Sequence, residues 1–291
     1  MAEGTRRRGL SRVAVVRLIL FFFFLLLVDA VWQTLSYNLL PHLPAQWQGP
    51  AALAGTLVFC AIALVVYLRL VHWLERRPAK ELAPLRGAAL VIAGVAVAFL
   101  MFCVVYAVLF GLHVAAWGGV AGYSHVAAFA AMALGTGVME ELMFRGGIFR
   151  ILEDSLGTGL ALVLSGAIFG GLHLVNAHAT LFGAIAIAIE AGVLLGAAYA
   201  AARNLWLPIG IHIGWNFTEG GVFGAAVSGT SGGKGILAMP LKGPELLTGG
   251  AFGPEASLVP IVICSLIGLY FIVRTVRRGR WVPVSFHMML D

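Results

Sequence analysis

The sequence predicts an all-α, polytopic transmembrane helix bundle of about eight spans with both termini cytoplasmic. Three observations predict it. The 291 residues are 60% hydrophobic and only 11% charged, with a mean hydropathy of +0.96, where soluble domains carry roughly 25% charged residues. Too little polar surface exists to cover a globule, so lipid is the expected solvent. The apolar residues also fall in runs of about 20, the length that crosses roughly 30 Å of hydrocarbon as a helix, with no strand-like alternation to suggest a barrel. Finally, Lys and Arg gather in every second connection, as expected of cytoplasmic loops.

The expected spans run in order along the chain. The first, 14–37, follows "TRRRGLSR"; its length and the lack of a small-residue cleavage site separate it from a signal peptide. Spans 51–73 and 87–112 flank the basic loop 74–86, and spans 124–150 and 158–176 form a hairpin through "LGTG" at 156–159. Spans 179–201 and 205–224 flank Arg203, and span 257–274 ends before "RTVRRGR". The Gly-rich connection 225–256, with only Lys234 and Lys242, is expected to face outward. Phe21 to Phe24 read as lipid-facing bulk. Cys60, Cys103 and Cys264 each sit in an apolar run and have neither disulfide-framework nor metal-ligand spacing. The basic balance, +6 with pI near 9.6, is accounted for by residues anchoring span ends, so nucleic acid is not an expected partner; membrane lipid is.

Asp29, Glu140, Glu141, Arg145, His173, Glu190, His212, Asn216 and Glu219 lie within or near these spans. Ionisable groups at membrane depth cost several kcal/mol and mark function by default; helix glue is the bland reading for any one of them. Their combination carries more. Glu140 lies 16 residues before Leu156 and His173 lies 14 after Gly159, so two antiparallel helices bring them to one depth. His212, seven residues into its span on the same side, and Asn216, one turn further on one face, reach a compatible depth. Glu141 and Arg145 are i,i+4 and suited to pair as a clamp. Glu140 then points about 100° away, free to act as a general base. Glu140 with His173 suits water activation, and His212 with Asn216 suits hydrogen bonding to an oxyanion. The same Glu140, His173 and His212 would equally serve as a Zn²⁺ set. The sequence leaves both open.

Competing motifs are weaker. Gly229-Thr230-Ser231-Gly232 matches a serine-protease signature but sits in a hydrophilic Gly-rich loop. No HExxH motif occurs. An aspartyl site needs two buried Asp, and only Asp29 lies in a span. His178 reads as a solvent-side residue at a turn.

"EELMFRG", with Glu140, Glu141 and Arg145, resembles the EExxxR motif of the CPBP family, the CAAX proteases and bacteriocin-processing enzymes also called Abi. "FGGLH", Phe169 to His173, resembles its FxxxH motif, and "HIGWN", His212 to Asn216, its HxxxN motif. The three occur in the family's order, each on its own helix. The resemblance is firm over about residues 125–220. It implies a polytopic membrane protease in which Glu140 and His173 activate water and His212 and Asn216 meet the oxyanion, with a peptide or protein substrate at the membrane. It is also consistent with a metalloprotease. The expected organisation is 1–124 N-terminal transmembrane helices, 125–224 catalytic core, 225–256 extracytoplasmic loop, and 257–291 final helix and basic tail. Composition rich in Ala, Gly and Arg suggests a bacterial cytoplasmic membrane. A proton-coupled transporter using Asp29, Glu140 and Glu190, or a non-catalytic immunity protein, are the other function classes.

Overall fold

A computed structural model describes residues 12–230, 232 and 235–284. Among them the chain is helical, with two isolated antiparallel bridges and no strand. The helices are α1 Arg12–Leu39, α2 Ala45–Glu75, α3 Gly87–Gly111, α4 Val126–Leu156, α5 Thr158–Val175, α6 Leu181–Ala202, α7 spanning 206–222, and α8 Leu258–Arg277. All but α7 are long and apolar enough to cross a membrane, which makes seven among the described residues. The protein is an integral membrane helix bundle. The expected span 205–224 is present as α7 but is shorter, about 25 Å at 1.5 Å per residue.

Ion pairs show how the helix ends are arranged. At one end Arg17 of α1 stands 3.8 Å from Glu75 of α2, and Arg150 of α4 bonds the same carboxylate at 2.6 Å. Arg77 bonds Glu81 through two nitrogens at 2.8 Å, and the Tyr67 hydroxyl lies 2.7 Å from Glu81 Oε1. Arg203 after α6 pairs with Glu153 of α4, and Arg280 after α8 donates to the Ala201 carbonyl. The first and last helices therefore share an end with every basic connection. α7 starts there, its Leu205 amide donating to the Glu81 carbonyl at 2.8 Å. It finishes at the opposite end, where the Gly221 and Val222 carbonyls accept from Ile236 and Leu237.

The α4–α5 hairpin forms as expected. Gly157, at φ +83°, turns the chain, and α5 begins at the next residue. α7 lies on α3 through small residues: a Cβ on Gly214 would meet the Val95 Cα at 2.7 Å, and one on Gly94 would meet the Leu207 carbonyl at 2.6 Å. His212 and Asn216 lie two residues away from Gly210 and Gly214, about 200° around the helix, so this approach turns them inward.

Two expectations change. Phe21 is 1% exposed, packed on Tyr67 with ring centroids 5.5 Å apart; Phe23 remains on the surface. Helix periodicity puts one residue of such a run on the core face, which the uniform run conceals. The segment 225–256 is also more than a loop. It bridges to 115–120 and buries Val227, Phe252 and Glu255. Ser231 lies outside the described residues.

Candidate active site

α4 carries the first group. Glu140 and Glu141 end its regular α-helical part, and residues Leu142–Phe149 widen into π-helix. Glu141 is wholly buried and accepts from Arg145 Nη1 at 2.6 Å on Oε1. The clamp expected from the i,i+4 spacing is therefore present. It reaches further than the spacing shows, because His212 Nδ1 of α7 lies 2.9 Å from the same oxygen. Arg145 also donates to the carbonyls of Ala191 and Gly192, which lie in the π stretch Ala188–Val193 of α6. Its guanidinium carbon stands 4.8 Å from the centroid of the Phe169 ring, and that ring lies 4.8 Å from His173. Phe169 thus separates the buried cation from the histidine.

Glu140 is different. Its side chain is 26% exposed, its Oε2 has no hydrogen-bond partner among the described residues, and His212 Nε2 is 3.8 Å away. His173 lies in the last turn of α5, with Nδ1 at 2.8 Å from the Phe169 carbonyl. A carbonyl only accepts, so Nδ1 carries a proton, and in the neutral ring Nε2 then holds the lone pair. The same argument applies to His212: Nδ1 faces a carboxylate that is paired with arginine, so Nδ1 donates. Asn216 Nδ2 donates to Thr136 Oγ1 at 2.9 Å, leaving its second N–H.

Glu140, His173, His212 and Asn216 line one cavity of about 390 Å³, together with Met132, Thr136, Asn176 and residues 227–230. Glu141, Arg145 and Phe169 stand directly behind it. The returning segment closes one wall: Asn176 Nδ2 donates to the Ser228 carbonyl at 3.0 Å, and Gly229 sits so close to the Ala177 carbonyl that no Cβ would fit. Behind Phe169 and His212 a smaller space of about 30 Å³ reaches Glu190 and Glu255, room for about two waters. Among the described residues neither Glu190 oxygen has a hydrogen-bond partner. Asp29 lines a different cavity, and His178 is exposed at a turn with φ +59°.

Among the described residues no three His, Cys, Asp or Glu side chains gather at metal-holding spacing. Glu140, His173 and His212 share the cavity without gathering at that spacing. Cys60, Cys103 and Cys264 are free thiols.

Residues 121–218 match the family model of type II CAAX prenyl endopeptidase Rce1-like proteins.

The Rce1-like segment covers about a third of the chain and contains all seven residues expected at the site. It agrees with the CPBP resemblance, and its family implies a membrane protease. Comparison with curated proteins and with solved structures found no match. Sequence reasoning missed Thr136, the partner of Asn216. Its position one turn before Glu140, on the same face, was the available signal. The 227–230 wall carried none, because nothing local says that a Gly-rich loop folds back.

Proposed function

We propose that the protein is an intramembrane endopeptidase. It hydrolyses a peptide bond in a membrane-associated substrate, with water activated by Glu140 and His173. The observation that carries this reading is that Glu140, His173, His212 and Asn216, from three helices, line one cavity. The Rce1-like match supports peptide hydrolysis at a membrane over transport or passive binding. Glu140 takes a proton from water while the lone pair of His173 Nε2 orients it. The resulting hydroxide attacks the carbonyl carbon. The free N–H of Asn216, and His212 when protonated on both nitrogens, bind the oxyanion. Glu140 returns its proton to the amine as the C–N bond breaks. We assign the protein to a bacterial cytoplasmic membrane, with both termini inside.

Glu140→Gln and His173→Ala should each lower turnover by three or more orders of magnitude, about 4 kcal/mol in the barrier. Comparing new N-termini in membranes carrying the active protein or Glu140→Gln would reveal substrates. The absence of any Glu140-dependent terminus would sink the assignment.

One feature favours a metal: a carboxylate behind Nδ1 of His212 is the support that zinc-bound histidines share. Asn216→Asp separates the readings. An ionised aspartate cannot donate to an oxyanion but can ligate zinc. Asn216→Asp should lose about 10²–10³ in kcat with little change in KM. Retained activity, together with stoichiometric zinc in the purified protein, would favour the metal instead.

A further inference from the structure

We propose that Asp29 anchors a subsite for a lysine or arginine side chain of the peptide substrate. This rests on the endopeptidase reading for the identity of the ligand. A second cavity of about 220 Å³ lies between α1, α2 and α4, lined among others by Asp29, Trp32, Gln33, Thr56, Met132 and Thr136. Met132 and Thr136 also line the catalytic cavity, so the two spaces adjoin along α4.

Asp29 sits within the apolar run of α1, where an acid is tolerated only if it faces water or a partner. Among the described residues no Lys, Arg or His forms a salt bridge with it. The charged group acting on it is another acid, Glu140, and its local partner is the Gln33 side chain. A carboxylate on a cavity that adjoins a second acid, with no cation paired to it among the described residues, favours a cation from outside. Trp32 adds an aromatic ring, held against Phe59 with centroids 6.1 Å apart. A carboxylate beside a ring suits ammonium or guanidinium.

Size selects among cations. The cavity is many times the roughly 10–15 Å³ that admits one water, and no metal-holding group of three acids or histidines is present among the described residues. It suits a long side chain rather than a bare ion. Position sets the register. Met132 precedes Glu140 by eight residues, about 12 Å along α4. An extended peptide covers about 3.3 Å per residue. The cationic residue therefore lies about three or four residues from the bond that is cut.

The test uses full-length Glu140→Gln protein in phosphatidylcholine nanodiscs, which contain no amine lipid. The probes are fluorescent N-acylated decapeptides carrying Lys, norleucine or Glu at each position in turn. Binding is read by anisotropy, and cleavage of the same peptides by the wild type is read separately. At one position Lys should bind about tenfold tighter than norleucine, with Glu weakest. Asp29→Asn in this background should erase the preference, and Asp29→Glu should keep it. Equal binding of Lys and norleucine at every position would overturn the proposal, and that arm needs no change at Asp29. So would a preference surviving Asp29→Asn, or one displaced by added phosphatidylethanolamine, which would assign the subsite to a lipid amine. Lys preference without any cleavage would count against the endopeptidase reading and leave the cation subsite standing. Cleavage without preference would overturn the subsite alone.

Discussion

One oxygen, Glu141 Oε1, accepts from both Arg145 and His212. The two glutamates of "EE" thus have different environments, although they are neighbours in sequence. Glu141 is wholly buried, while Glu140 opens to the cavity. A buried carboxylate that loses its cation costs about 3–5 kcal/mol. Arg145→Ala should therefore lower expression and the melting temperature in detergent. Because Glu141 also holds His212, any protein that survives should be nearly inactive. A well-folded, fully active Arg145→Ala would refute the clamp. The pairing of Glu141 with Arg145 was readable from the i,i+4 spacing. The bond to His212 was not, since the partners are 71 residues apart and only packing brings them together.

At the scale of elements, π-helical stretches occur in α4, α6 and α7, each beside a polar residue of the site region. Such bulges often accompany function because they re-aim side chains and loosen carbonyls from the regular ladder. Here Arg145 uses carbonyls in the α6 stretch. The α3–α7 contact is the second element-scale device. Small residues let the backbones approach, and this sets how deep His212 and Asn216 stand. Gly214→Val would push a side chain into the Val95 backbone. An overpacked contact costs about 1–3 kcal/mol, so the variant should melt lower. Its kcat should fall through displacement of α7, although Gly214 itself lines no part of the cavity. An unchanged melting curve and rate would show that α7 tolerates movement. Hydropathy located these helices to within a few residues. It carried no sign of the π stretches, which depend on what each turn packs against.

Across the whole molecule, the salt-bridged end gathers Arg17, Arg77, Arg150, Arg203 and Arg280. The 225–256 segment lies at the other end with the α3–α4 connection. If the basic end is cytoplasmic, as the positive-inside rule expects, reporters fused after residue 291 and inserted within 225–256 should report opposite sides. The same side for both would break the arrangement, including the passage of α7 from one end to the other.

The amino-acid sequence by itself determined the solvent, the helices and the set of polar residues that line the cavity. Apolar runs of membrane length, alternating basic connections and three motifs on three helices are local or periodic properties, and these survive any packing. Tertiary structure alone decided that His212 leans on Glu141, that Thr136 holds Asn216, that Phe21 belongs to the core and that residues 227–230 wall the cavity. It also brought the Asp29 cavity alongside the one that Glu140 and His173 line. Each of these depends on distance between helices far apart in the chain. Small-residue contacts and buried ion pairs set those distances, because lipid cannot drive apolar helices together and close packing and polar pairing must.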